Sequence, residues 1–432
     1  MRVAIACLGS RGDVLPHVEI ARCLREAGHD VAFGCNPDVA SILERLGFAP
    51  FVYTSLDIRV FLTSQEGRRS FFEGVTVAQL RTFARLYERY SADVDTGLIE
   101  LCGGADCVIA GRVLQEKVAI VTAAAGTPIV SIRTFPCSPS APVANPLLGP
   151  GPQRLRYQLS KLTYYSLDLG VDFSTLRSTR SLARRVGYPH RMLRPSTAFR
   201  RSDHLIVEAF GTAIVPRNKR DRNNCRRIGF IRPTGQHAPP LPPDLARWID
   251  ASDIPLVYLG FGSMPVPELG RLITEFDSIC ASRGYRAVVA GDWSQTTAIA
   301  AQSNRMWLEP EVDHAALFPH CVALVHHGGA GTVATAVASG TPSVVCSHGF
   351  DQYFWGRALR HLGVGELIPR PALTAAAIAD AIERVRSVRV QSAATRLAER
   401  IRDDLNGADE FTTVLDEMIA NRNRQPTGAE SC

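Results

Sequence analysis

The chain has 432 residues, 46% hydrophobic and 21% charged, a composition that excludes a disordered protein and, at this length, favours two domains over one core. Its net charge of +6 is unevenly spread. Between Arg177 and Arg227 fourteen Arg or Lys face three acids, a surplus of eleven, so the remainder carries a deficit of five. Such a block suits phosphate, acidic lipid or an anionic substrate, or else a solvated arginine-rich surface; it has no nucleic-acid motif behind it.

The most apolar window, Val118 to Ile132, is broken by Gly126 and Pro128 and is too short to span a bilayer. The start runs directly into strand-and-turn chemistry, so a cytoplasmic location is expected. The eleven cysteines are scattered through apolar runs, which argues for buried hydrophobes and against a disulfide framework. Cys102 and Cys107 form the only close pair, and their spacing matches no standard zinc pattern.

In chain order, "RVAIACL" reads as a strand and "PHVEIARCLREAG" as a helix beginning near Pro16 and ending at Gly28. "DVAFGC" and "NPDVASILERLG" repeat the pair, with Asn36 or Asp38 as caps; "CVIAG" and "PIVSI" are further strands. Five prolines between Pro233 and Leu245 mark a linker. Alternation then resumes with strands "PLVYLGFG", "RAVVAG", "MWLE", "VALVH" and "PSVVCS", and a helix follows from Asp351 to Leu362. The expected fold is α/β with two doubly wound domains, and ligands then bind in a cleft between the carboxyl ends of their strands. The expected divisions are 1–232, a linker at 233–245, a second domain at 246–405 and a C-terminal helix and tail at 406–432, the last packing back on the first domain.

Two stretches share one plan, strand then glycine-rich turn then helix: "VAIACLGSRGDVLPHVEIARCL" near the start and "VALVHHGGAGTVATAVASGTPSVV" at Val322 to Val345. A strand that enters a helix through glycines aims unpaired N–H groups and the positive helix end at one point, and glycine lets an anion come close. The second stretch offers the N–H groups of Gly329, Ala330, Gly331 and Thr332, with His327 just ahead of the turn. His326, one residue earlier on the strand, points to the other face and reads as structural. Neither a dinucleotide fingerprint nor a P-loop fits. Asp351-Gln352 follows the next strand and brings a carboxylate and an amide, suited to sugar hydroxyls, to the same sheet edge.

"LFPHCVALVHHGGAGTVATAVASGTPSVV", "DQYFWGRALRHLGVG" and "GSRGDVLPHV" resemble the nucleotide-sugar-dependent glycosyltransferases of family 1, which have two Rossmann-like domains (the GT-B architecture), and more narrowly the branch with bacterial antibiotic, macrolide and sterol glycosyltransferases. The resemblance is most specific from Asp313 to Gly365 and weaker over nearly the whole chain. It implies that His327, Gly329, Ala330, Gly331 and Thr332, with Gly262 and Ser263 of "GFGSM", hold the donor diphosphate. Asp351 and Gln352 would hold the donor sugar, and the segment containing Trp307 and Val312 the nucleobase. Many relatives have Pro-His where this chain has Asp313-His314, which leaves the base contact open.

Where many relatives carry a histidine three residues before the proline, this chain has Asp13 before Pro16. The resemblance makes Asp13 the general base of an inverting transfer to an acceptor hydroxyl, with a helix N-cap as its bland alternative and His17 as the rival base. The donor would be UDP- or dTDP-linked, and no obligatory metal or other cofactor is expected. Asp93 and Asp95 imitate a metal-binding DxD but sit in a helical pattern. The acceptor is expected in N-domain loops bearing Phe71, Phe72, Phe135 and Tyr164, aromatic surroundings that suit a greasy natural-product or lipid-like molecule. The Arg177–Arg227 block adds an anionic acceptor or docking on an acidic membrane. Two other readings compete: a glycosyltransferase-like auxiliary protein without catalysis, and a sugar-nucleotide 2-epimerase.

Overall fold

The computed structural model describes residues 1–72, 76–137, 145–148, 157–189, 194–216, 224–232, 240–262, 264, 266, 268–291 and 303–424, with Ser70, Phe71 and Phe72 among those given by backbone alone. Short apolar runs flanked by turn residues form most of the strands; β7, Cys-Arg-Arg at the sheet edge, is the polar exception. In the first half these are β1 (Arg2–Ala6), β2 (Asp30–Cys35), β3 (Pro50–Val52), β4 (Cys107–Gly111), β5 (Ile129–Arg133), β6 (His204–Glu208) and β7 (Cys225–Arg227). In the second half they are β8 (Leu256–Gly260), β9 (Arg286–Ala290), β10 (Met306–Glu309), β11 (Ala323–His326), β12 (Ser343–Ser347) and β13 (Gly365–Pro369).

Each half builds one all-parallel sheet. The orders are β3-β2-β1-β4-β5-β6-β7 and β10-β9-β8-β11-β12-β13. Order reverses between β1 and β4 in the first and between β8 and β11 in the second, and a crevice opens at the strand ends at both places. The central strands are buried on both faces, which explains their unbroken apolar runs; Val3, Ile5, Val257 and Leu259 are fully enclosed.

The two halves are joined by more than the chain. Phe210 and Phe230 of the first half pack on Trp355 of the second, with ring centroids 6.3 and 6.2 Å apart. The final helix, Gly407–Arg424, crosses back and seats Phe411 and Leu415 in the core around β1 and the Arg11–Glu26 helix. At the crossover Phe230 N–H donates to the Asp404 carbonyl at 2.6 Å, and Thr212 N–H to the Asp404 carboxylate at 2.9 Å.

Several local expectations are corrected. The first helix begins at Arg11, not near Pro16, because Ser10 caps it; Pro16 lies inside and leaves the Gly12 carbonyl without its helical donor. The segment that bears Phe71 and Phe72 (54–74) and the one that bears Tyr164 (154–167), both expected as loops, are largely helical in their described residues. The former enters helices Ile58–Thr63 and Gln65–Phe72, and the latter opens a 29-residue helix, Tyr157–Arg185. Asp95 is turned inward onto Lys117 in a buried ion pair, so Asp93 and Asp95 present no shared metal face. Part of the basic block is engaged within the first half, Arg185 on Thr96, Arg200 on Ser196 and Asp168, and Arg227 on Glu208, while Arg177 and Arg184 are exposed. Its stretches 190–193 and 217–223 lie outside the described residues.

Candidate active site between the two domains

Both crevices open into one cleft of about 2950 Å³. Pockets for one small ligand usually hold about 300–1,000 Å³, so this cleft has room for two substrates at once. Asp13, Gly262, Val312, His327, Gly329, Ala330, Gly331, Thr332, Asp351, Gln352 and Phe135 all line it, and so does His17.

On the first wall, β1 ends in a turn at Gly9, and the helix that follows carries Asp13 in its first turn. The carboxylate Oδ2 accepts from both the Ser10 N–H and the Ser10 hydroxyl at 2.9 Å. A Cβ on Gly9 would come within 2.6 Å of that oxygen, so the glycine makes room for the acid. Asn36, which is fully enclosed, pins the turn from behind: its amide donates to the Gly9 carbonyl at 3.0 Å and its Oδ1 accepts from Gly9 N–H at 3.1 Å. Asp13 opens onto the cleft, but the surrounding protein displaces bulk water and raises its pKa, against the two Ser10 hydrogen bonds that lower it. His17 lies deeper. Its Nδ1 meets the Asp13 backbone carbonyl at 2.9 Å, which leaves Nε2 enclosed without a partner, and burial pulls the imidazole down to about 4.

On the opposite wall, β11 leads through Gly328 into the helix Ala330–Ser339. Gly328 has φ +91°, and a Cβ there would strike Val345 at 2.6 Å, so the turn needs glycine twice over. The N-cap is Gly329, without a capping side chain, so the first N–H groups of the helix face the cleft uncapped. His327 sits between two glycines. A Cβ on Gly262 would meet its ring at 3.0 Å and one on Gly329 would meet Nε2 at 2.5 Å. Burial holds this imidazole neutral, down to about 3, with His348 and His314 adding to the effect, and its Nδ1 has no hydrogen-bond partner among the described residues. His326 faces the other way, fully buried, and accepts from Gly328 N–H at 3.1 Å.

Asp351 stands beside this turn. Trp355 Nε1 donates to it at 3.0 Å, and its carboxyl is pushed up to about 7, first by loss of water and then by the charge of Asp13 across the cleft. Gln352 uses Oε1 to accept from the N–H groups of His348 and Gly349 at 2.7 and 3.3 Å, and its amide NH2 donates to no partner among the described residues. Phe350, immediately before Asp351, adopts φ +50° and packs on the apolar cluster of the first half. A non-glycine residue held there costs about 1–3 kcal/mol, which the packing around it must supply. At the cleft rim Arg11 and Glu311 form an ion pair between the halves, with Arg45 4.0 Å from the same carboxylate.

Two expected site residues lie elsewhere. Trp307 faces away from the cleft: alternation along β10 turns Leu308 inward and sends the indole onto Trp248, 5.7 Å away, with Nε1 bonded to Glu309. Tyr164 is a core residue whose hydroxyl donates to the Pro136 carbonyl at 3.2 Å. Ser263 and the side chains of Phe71 and Phe72 lie outside the described residues. His314, beside Val312, accepts from or donates to the Tyr258 hydroxyl at 2.8 Å and stacks on Phe318, so it braces the segment from Val312 onward.

Sequence reasoning missed Asn36, Phe350 and Trp355 as parts of the site. Asn36 was legible as a cap, but its bond to Gly9 joins two strands' ends. The role of Trp355 was written in its i, i+4 spacing from Asp351.

Two doubly wound domains that share one cleft, with a carboxylate on one wall and a bare helix N-terminus on the other, constitute the GT-B architecture. Residues 288–420 match the family described as erythromycin biosynthesis protein CIII-like, C-terminal domain. An uncharacterized glycosyltransferase of Mycobacterium tuberculosis is 29% identical over 84% of this chain and 86% of its own length. The vancomycin aglycone glucosyltransferase of Amycolatopsis orientalis is 28% identical over 94% and 95%. The glycosyltransferase VinC, solved with dTDP, shares the fold with a TM-score of 0.70 at 18% identity, over 98% of this chain and 100% of that one. The chain is a glycosyltransferase with the GT-B fold, and its sequence is similar to antibiotic and sterol glycosyltransferases.

Proposed function

We propose that the protein moves a sugar from a UDP- or dTDP-linked donor to a hydroxyl of a small hydrophobic natural-product or lipid-like acceptor, in the cytoplasm and with inversion at the anomeric carbon. The observation that carries this reading is the juxtaposition of Asp13 with the uncapped turn after His327 across one cleft. The diphosphate lies against the N–H groups of Gly329, Ala330, Gly331 and Thr332, and His327 donates to it as a neutral imidazole. The helix dipole and these fixed donors meet the charge that grows on the leaving group. Asp351 and the free amide NH2 of Gln352 hold sugar hydroxyls. The base rests near Val312 and Leu308, in place of Trp307.

Asp13 takes the acceptor hydroxyl's proton as that oxygen bonds to the anomeric carbon and the carbon–phosphate oxygen bond breaks, releasing the nucleoside diphosphate. A carboxylate cannot deprotonate an alcohol in advance, so proton transfer accompanies bond formation; the raised pKa of Asp13 makes it a better base for the task. His17 is the weaker candidate, because it is buried and its lowered pKa makes it a poorer base.

Calorimetric titration with UDP, dTDP and GDP, run beside His327→Ala, tests the reading. One nucleotide binds, and the mutation weakens it by about 1.5–3 kcal/mol, the range for a hydrogen bond to a charged group. Absence of binding by all three nucleotides would sink the proposal.

A further inference from the structure

The 29-residue helix Tyr157–Arg185 carries a feature the transfer reaction does not use. Leu159, Leu162, Tyr165, Leu169 and Phe173 are between 44% and 86% exposed. At about 100° per residue they fall within an arc of roughly 120°, a stripe about 21 Å long. Isolated exposed apolar residues need no explanation, but a contiguous stripe on one face does. The same arc continues into Arg177 and Arg184, both exposed.

Charge says what covers it. The helix contains only two acids, Asp168 and Asp172, and neither is on this face. Asp168 pairs with Arg112 and Arg200, and Asp172 is buried against Ser196. The neighbouring helix Thr76–Arg89 packs alongside and adds exposed Arg81 and Arg85. A second copy of the chain meeting this face with the same face would set arginine against arginine or leucine, and the remaining acid of the two helices, Glu88, is taken up by the Ser178 hydroxyl. We propose that this face docks the protein on an anionic lipid surface, with the apolar stripe at the level of the acyl boundary and the arginines among the headgroups.

Phe173 both ends the stripe and lines the cleft, and Arg81 and Arg85 line it too. Docking therefore turns the mouth of the first half's side of the cleft toward the bilayer. On the transferase reading, that is where a lipid-dissolved acceptor enters.

The test is flotation of the full chain with phosphatidylcholine vesicles, with and without phosphatidylglycerol. The protein floats with the anionic vesicles only, and less as salt rises. Arg177→Gln with Arg184→Gln weakens binding about 25-fold, about fivefold for each charge removed. Leu159→Ser, Leu162→Ser and Leu169→Ser together abolish flotation, while nucleotide titration in solution shows that the variant remains folded. Flotation of all variants alike, or none by the parent protein, overturns the proposal. So does a dimer in sedimentation that dissolves into monomers in the leucine variant, since the face would then be a self-contact. Nucleotide binding on the same preparation separates either result from a failure of the transferase reading.

Discussion

The turns after β1 and β11 follow one backbone plan and end in opposite chemistry. Each is a strand that enters a helix through glycine, and each uses a glycine to make room for one functional side chain: Gly9 for Asp13, Gly329 for His327. The first caps itself. Ser10 and Asp13 are bonded to each other, so a fixed negative charge occupies the positive end of the helix. The second has glycine at the cap, so that end stays bare for an anion from outside. On the proposed reading, what the cap residue does with the first N–H groups decides whether a turn presents the base or receives the leaving group.

Exchanging the acid on the first turn tests this division most severely. Asp13→Asn retains an oxygen that can accept from Ser10 but removes the proton acceptor. Turnover should fall about 10²–10⁴-fold, the usual range for a general base, while nucleotide affinity measured by calorimetry stays at the parent value. If the nucleotide affinity fell in parallel, Asp13 would belong to the donor site.

The second turn can be probed through its glycines. Gly329→Ala places a methyl 2.5 Å from His327 Nε2, so the imidazole must move and nucleotide binding should weaken as in His327→Ala. Gly331→Ala meets nothing within 4 Å, so melting temperature should be unchanged or slightly raised, since alanine is the better helix former. Equal loss of nucleotide binding in both variants would show that the loop responds as a whole and not through His327.

A subtler change sharpens the role of the self-cap. Ser10→Ala removes one of the two hydrogen bonds that lower the Asp13 pKa, so the acid limb of the kcat/KM profile should move to higher pH. Loss of the cap should also cost about 1 kcal/mol in denaturant unfolding. An unmoved acid limb would argue that Asp13 is not the group it reports.

The sequence made these turns legible because glycine runs, caps and strand alternation are local. The same alternation placed His326 and His327 on opposite faces correctly. It did not place Trp307, because the face that β10 turns to the cleft depends on Trp248, 59 residues earlier on the helix Pro243–Asp250. Pro16 misled about the helix start, since the rule for proline at the first turn competes with the stronger cap at Ser10. The long helix escaped for a related reason. Its apolar residues are divided between the core and the exposed stripe, so no single face stood out from Tyr157 to Phe173.

The smallest expected effect concerns the carboxylates that face each other between the turns. Asp351 has its pKa raised to about 7, mainly by lost hydration and also by Asp13. A carboxyl whose folded pKa is raised stabilises the fold fully below its unfolded value near 4, and that contribution is lost as pH rises through about 7. Thermal melts between about pH 5 and about pH 8 should therefore show a decline that Asp351→Asn flattens, with the variant gaining on the parent at the alkaline end. Asp13→Asn should flatten it as well, since it removes a second carboxyl whose pKa is raised together with the charge that helps to raise Asp351, but it leaves Asp351 dehydrated. If Asp351→Asn left the decline unchanged, burial of Asp351 beside the second turn would not be what sets the titration.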